Sequence, residues 1–271
     1  MLLPIAKASM PRVTQTWNKG FSDYLVPINM TEQQLNHRID SLGLSRDFSC
    51  VFEEEGAYLG VILLGIQTLN HKRIMWVGGI SVDPASRGKH VGTKLMKHAE
   101  LLATQNNCEG IRLEVIATNY KAKKMYDSLS YSILNELIIA DISNLDNKQD
   151  SLVELIQFPM DRISLKEPIT IPWQNRLIFA QNSLMIHYQH QIIGYLSFTE
   201  SDSSIAIQQL VIFNEQHLSL IKDILIYLNN QFEKTLTLSN FDSSSKEFSM
   251  LHSFGLTTKL TQLQLFLPLK K

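Results

Sequence analysis

The chain has 271 residues, enough for one large domain or two of ordinary size, and its 44% apolar and 19% charged residues are the balance of a soluble, well-packed protein. A formal net charge of −1 removes the electrostatic reason to expect a nucleic-acid partner or a membrane surface. No apolar run has the length of a membrane span, "MLLPIAKASM" lacks the charged start and long apolar core of a signal peptide, and Cys50 and Cys108 form neither a disulfide framework nor a metal-like spacing, so a reducing, cytoplasmic setting is expected.

In chain order, "LLPIAKAS" predicts a short strand and "PRVTQTWNKGFSDY" a polar, helical stretch. The run "TEQQLNHRIDSLGL" carries a helix start, with Thr31 as N-cap, Gln34 three residues on, and Leu35, Ile39 and Leu42 along one side. "CVFEEEGAYLGVILLGIQTL" predicts two strands joined by a turn at Glu55-Gly56. "RIMWVGGISVD" is a further strand, and the paired Gly78-Gly79 inside it predict a bulge or a close backbone approach. A helix starts near Val91, with Val91, Leu95, Ala99 and Leu102 at helical spacing, and stops around "QNNCEG". "IRLEVIAT" follows as a buried strand, "NYKAKKMYDSLSY" as a short helix opened by Asn119, and "SILNELIIADI" as a strand. The polar "SNLDNKQDS" marks a domain boundary, dividing the chain into 1–143 and 144–271. The second half repeats the rhythm: "NSLMIHYQHQIIGYLSF" as a two-strand unit with Gly194 in the place of Gly60, "SIAIQQLVI" as a strand, "LSLIKDILIYLNNQF" as an amphipathic helix, then strand, helix and strand. The fold class expected is a mixed-sheet α/β (α+β) fold in two tandem units.

The connection "DPASRGKHVGT" joins a strand to a helix, where the first N–H groups of the helix lack internal partners and the helix dipole adds partial positive charge. Such a turn suits a phosphate. Gly88 and Gly92 open the turn, and Arg87 and Lys89 add cationic donors. The order strand, "RGKHVG" turn, helix, strand "IRLEVIATN", helix resembles the GNAT superfamily of acyl-CoA-dependent N-acetyltransferases over roughly residues 50–135. Of that family's turn, Arg87, Val91 and Gly92 are present and His90 stands where the first glycine is usual; its second motif is intact as Asn119, Ala122 and Tyr126, with Ser130-Tyr131 where Gly-Phe is common. A residue with ordinary helical dihedrals offers its N–H as glycine does, so His90 is expected to be compatible with the turn.

The resemblance implies acetyl-CoA as co-substrate and no metal. It implies that the backbone of Arg87, Gly88, Lys89, His90, Val91, Gly92 and Thr93 holds the pyrophosphate, that Ile80, Ser81 and Val82 pair with the pantetheine arm, and that Asn119 and Ala122 complete the cofactor site. A neutral amine attacks the thioester carbonyl, a backbone N–H near Gly79 or Ile80 stabilises the oxyanion, and Tyr126 protonates the departing thiolate. The residues alone leave rivals open: Tyr126 as a packing aromatic, Asn119 as a helix cap only, Glu114 as a hydrogen-bonded structural carboxylate. Asp23 and Tyr24 either line the acceptor site, with Gly79, or form a helix-end turn, and no side chain stands out as the base. The second half reads "FNEQHLSLIKD" after its central strand, without glycine, and has Leu251 and Ser244 in the places of Tyr126 and Asn119, so it is expected to bind no acetyl-CoA. The functional expectation is an N-acetyltransferase for a primary amine in a small molecule or peptide, the alternative a non-catalytic acetyl-CoA-binding sensor or interaction protein. Acyl-chain preference and the choice between monomer and homodimer stay open.

Overall fold

The computed structural model describes residues 1–25, 28–143, 151–157, 165 and 167–269. By contacts the chain forms two compact units, Met1–Ser132 with Leu265–Lys271, and Ile133–Gln264. Much of the boundary segment expected from the sequence lies outside the described residues, which exclude 144–150. The contact division falls earlier, at Ser132/Ile133, because a strand belongs to the sheet it hydrogen-bonds. Strand β6 (Ser132–Ile142) pairs antiparallel with β11 (Thr235–Asp242), Asp141 opposite Thr237 and Leu137 opposite Asp242.

In the first unit β1 (Leu2–Pro4), β2 (Ser45–Glu54), β3 (Ala57–Leu69), β4 (Lys72–Val82) and β5 (Gly110–Ile116) lie side by side in that order, and the end of β12 (Leu256–Pro268) follows β5. Two-residue turns join β2 to β3 at Glu55-Gly56 and β3 to β4 at Asn70-His71, all four residues at positive φ, the backbone that matches the twist of antiparallel strands. Helix α1 (Met10–Gly20) stops four residues before the end of the stretch expected to be helical, and 21–23 are turn. Helix α2 (Glu32–Ser41) has the expected capping box, with Gln34 N–H donating to Thr31 Oγ1 at 3.2 Å and Thr31 N–H to Gln34 Oε1 at 2.8 Å. Val13, Trp17, Leu35 and Ile39 of these helices are buried, as are Val91, Leu95, Met96, Ala99 and Ala103 of α3 (Val91–Gln105). Cβ positions at Gly79 and Gly60 point respectively at Trp17 of α1 and at Val91 and Leu95 of α3, so α1 and α3 cover opposite faces of the sheet. Helix α4 is Tyr120–Ser128.

The second unit has the sheet order β12-β6-β11-β10-β9-β8-β7, with β7 (Glu154–Gln157), β8 (Asn182–Tyr188), β9 (Gln191–Glu200) and β10 (Ser204–Ile212). Strand β7, absent from the sequence reading, pairs with β8, Leu155 opposite Ile186. Helix α5 (Ile221–Phe232) buries Ile221, Ile224, Leu225 and Leu228 on the sheet, and α6 (Lys246–His252) buries Leu251. No helix among the described residues is long and apolar enough to cross a membrane.

Candidate active site

The site is built where two parallel strands part. Strands β4 and β5 pair in register only from Ile74–Val77 against Gly110–Leu113. On its other edge β4 carries the expected bulge: Leu64 lies opposite Val77 and Leu63 opposite Gly79, leaving Gly78 as the extra residue. Beyond it Ile80, Ser81 and Val82 pair with β3 on one side and have no ladder partner on the β5 side. A bulge on the β3 edge of β4 and the parting of β4 from its parallel neighbour β5 thus leave a gap lined by unpaired backbone, the arrangement a linear amide-containing arm requires.

At the end of this gap stands the turn. Asp83 caps a short 3-10 turn at Pro84–Ser86, accepting from Ala85 N–H at 3.0 Å, and Gly88 and His90 follow at φ 79° and 61°. His90 therefore does not have the ordinary helical dihedrals expected of it; it occupies the left-handed region, which explains why glycine suits this position. Its side chain makes no capping bond to α3. Among the described residues, the N–H groups of Gly88, His90, Val91, Gly92 and Thr93 donate to no protein acceptor. Free donors at a helix start, with the dipole behind them, fit a pyrophosphate.

Two ion pairs fasten the end of α1 to this turn. Lys19 Nζ lies 2.5 Å from Asp83, and Arg87 forms a bidentate pair with Asp23 at 2.6 and 2.7 Å while donating to Gly20 O at 2.9 Å. Arg87 and Asp23, read separately from the sequence as cofactor and acceptor residues, are thus partners of each other. The Arg87 hydrogen bonds hold the Asp23 carboxyl below its usual range; burial works the other way at Asp83, where Lys19 and the Ala85 N–H together prevail and lower it.

Asn119 and Tyr126 reach the site through α4. Asn119 Oδ1 accepts from Ala122 N–H at 3.2 Å, so Asn119 is a cap and Ala122 its donor. Tyr126 is buried at 4% exposure, its ring 5.8 Å from that of Tyr131, and burial, with a smaller contribution from Tyr24, pushes its hydroxyl far above the ordinary tyrosine value. Burial also raises Tyr24, while a hydrogen bond with Asn119 draws it back. Tyr24, Asn119 and Tyr126 are therefore neighbours. Ser130, the second departure from the family pattern, has φ 64° and ends the α4 turn in the left-handed conformation that a glycine would adopt there.

Three side chains around the bulge were not singled out in the sequence. Trp17 packs on Gly79, Arg38 Nη2 donates to the bulge carbonyl Gly78 O at 2.9 Å, and Trp76 Nε1 donates to Glu114 Oε2 at 2.7 Å, which makes Glu114 a hydrogen-bonded carboxylate. The signal for Arg38 was present: it falls on the stripe of Leu35 and Leu42, three and four residues away, and burial lowers its pKa as Glu114 opposes.

Among its described residues the second unit is arranged differently at the corresponding places. After β10, Asn214 Oδ1 accepts from Gln216 N–H at 3.1 Å and the chain coils through a 3-10 turn at Glu215–Leu220 before α5. Counting four residues back from the left-handed residue that ends each helix, Ser130 or Gly255, gives Tyr126 in α4 and Leu251 in α6. Ser245, not Ser244, is the α6 cap, accepting from Phe248 N–H at 3.1 Å. No cluster of metal-ligating side chains occurs among the described residues.

No curated protein matches the chain at a significant level. Solved structures match over its whole length at low identity. A GCN5-related N-acetyltransferase from Sphaerobacter thermophilus is 11% identical with a TM-score of 0.68, covering 100% of this chain and 96% of that one. A putative acetyltransferase from Pyrococcus horikoshii is 12% identical with a TM-score of 0.64, covering 100% and 89%. A tandem GNAT protein from the clavulanic acid biosynthesis pathway is 11% identical with a TM-score of 0.64, covering 99% and 98%. The profile of the Acetyltransferase (GNAT) family matches residues 11–131 of this chain, and the solved structures share its fold over the whole length.

Proposed function

We propose that the first unit transfers an acetyl group from acetyl-CoA to a primary amine, on a small molecule or an exposed peptide terminus, and that the second unit binds no acetyl-CoA. The observation that carries this reading is the joint presence of the β4/β5 gap, the free N–H donors of Gly88 and of residues 90–93, and the buried Tyr126 hydroxyl. Acetyl-CoA supplies the acyl group already activated as a thioester. The N–H groups of Gly88, His90, Val91, Gly92 and Thr93 hold its pyrophosphate, and the open edge of Ile80–Val82 pairs with the pantetheine amides. The backbone N–H of Gly79 or Ile80, fixed by the bulge, stabilises the developing oxyanion without reorganising. Tyr126 keeps its proton throughout the working pH range because burial opposes ionisation, so it is always ready to protonate the leaving thiolate. Asp23 acts through Arg87 as a positioning group, keeping Tyr24 beside Asn119 at the acceptor side.

For the second unit, the closed turn after β10 and Leu251 in the place of Tyr126 support the same reading. The free, buried Cys50 and Cys108 suit a reducing cytoplasm. The test is thiol release with a panel of amines, for the unmodified chain and Tyr126→Phe. The expected result is a fall in kcat of roughly a hundredfold to ten-thousandfold with KM for acetyl-CoA little changed, the range of a lost general acid. Full retention of activity in the variant at neutral and alkaline pH overturns the acid assignment. Tight acetyl-CoA binding without turnover on any amine favours a sensor instead.

A further inference from the structure

The carbonyl of the bulge residue Gly78 is held by a cation at the inner end of the β4/β5 gap. Asp83 N–H donates to Leu59 O at 2.9 Å, so Leu59 and Asp83 form a hydrogen-bonded pair at the end of the β3–β4 ladder. Such pairs alternate with non-bonded ones along antiparallel strands, and the register from Gly60/Val82 to Leu63/Gly79 is unbroken. Gly79 N–H therefore turns toward β3, while Ile80 N–H, in the non-bonded pair with Ile62, turns toward the open side. A trans peptide points its carbonyl opposite to its N–H, so Gly78 O turns to the open side as well. Arg38 Nη2 meets it there at 2.9 Å.

A Cβ at Gly78 would lie 2.9 Å from both Leu44 Cδ2 and Trp76 Cζ3, and one at Gly79 would meet Trp17. Packing thus requires two glycines, whose backbone is the most permissive in rotation, and a further contact is needed to orient the peptide between them. Arg38 supplies it. Among the described residues Arg38 is in no ion pair. Glu114, the residue after the last β5 position paired with β4, favours its charge through space and is itself held by Trp76 Nε1 at 2.7 Å. The second unit fastens its bulge too, with a different result. Strands β10 and β11 run in register only from Ser204–Ile207 against Thr235–Leu238, and Gln208 is the extra residue between Ile207 opposite Phe198 and Gln209 opposite Ser197. Asn175, fully buried, donates from Nδ2 to Gln208 O at 3.1 Å and to Ser239 O of β11 at 2.5 Å, so it ties both strands and fills the gap. Arg38 bonds the bulge strand alone and leaves the edge of Ile80–Val82 open.

We propose that Arg38 is a positioning residue for acetyl transfer: it orients the Gly78–Gly79 peptide and, through it, the Ile80 N–H offered to the developing oxyanion. This role rests on the acetyl-transfer reading of the first unit. Gly78-Gly79 is the only pair of adjacent glycines in the sequence, so glycine isotopically labelled at its carbonyl carbon and its nitrogen gives one carbon–nitrogen correlated NMR signal, that of this peptide. In Arg38→Met the signal is expected to move and kcat to fall about tenfold to a hundredfold, the range of a lost charge-assisted hydrogen bond. KM for acetyl-CoA is expected to change less than about threefold, because the pyrophosphate turn is untouched. Arg38→Lys, whose ammonium still donates but without the planar fork, is expected to move the signal less and to lose only severalfold in kcat. A merely structural arginine would give neither the split between kcat and KM nor the recovery with lysine. An unmoved signal in Arg38→Met, or an unchanged kcat there beside a lost one in Tyr126→Phe, overturns the role of Arg38 and leaves the transfer reading standing. No turnover by the unmodified chain on any amine overturns the transfer reading and this role with it. If Arg38→Met does not fold, Arg38→Lys decides, and a signal and kcat both equal to those of the unmodified chain overturn the proposal.

Discussion

His90 shows how one backbone angle governs a motif position. At φ 61° its Cβ crowds the backbone, a strain glycine lacks, so His90→Gly is expected to raise stability by about 0.5–1 kcal/mol after glycine's larger entropy loss. His90→Val, β-branched at the same angle, is expected to lose about 1–2 kcal/mol. Urea unfolding of the three proteins checks both signs. The buried tyrosines make a second prediction at this scale. Tyr126, Tyr131 and Tyr195 all have pKa values raised chiefly by burial. In the unfolded chain they ionise near the ordinary value of about 10, whereas in the folded chain they stay neutral, so their contribution is whole below pH 10 and is lost as pH rises through the raised values. Unfolding midpoints measured from pH 8 to 12 should fall steeply above about 10, and less steeply in Tyr131→Phe, if that variant folds. Of these residues Tyr126 and His90 were legible in the sequence as motif positions. Their burial and backbone angle were not, because neighbours distant in the chain impose them.

At the scale of elements, the bulge in β4 is where sequence and architecture meet most directly. Paired glycines inside an apolar strand announced it, and the register shift lies at Gly78. The sequence could not say that Trp17 of α1 would fill the space above Gly79. A Cβ on Gly79 would overlap that ring, which is itself almost wholly buried, so Gly79→Ala is expected to cost about 1–3 kcal/mol by overpacking and, on the proposed mechanism, to displace the backbone N–H assigned there to the oxyanion. Thermal unfolding and kcat measured on the same preparation check it; unchanged values for both would mean that Trp17 repacks freely. The helix start at Thr31 was equally legible, since a capping box is written within four residues. Strand β7 was not, because four residues of ordinary composition become a strand only by pairing with β8. The same limit hid the Arg87–Asp23 pair, whose members are 64 residues apart.

At the scale of the whole molecule, one half carries a turn with free donors and the other a turn already closed on itself, so a titration of the full chain is expected to saturate at one acetyl-CoA per chain. Two equivalent sites would contradict the assignment of the second unit. What the sequence by itself determined is local: the caps, the glycine bulge, the strand-to-helix turn at 83–90 and the Asn119–Tyr126 spacing, because hydrogen bonds within a few residues and backbone freedom at named positions dictate them. Tertiary structure alone decided which sheet each strand joined, that β6 is counted with the second unit, that Arg87 grips Asp23, and that Asn175 fills the second gap. Those outcomes depend on register and on burial between segments far apart in the chain, and no local pattern encodes either.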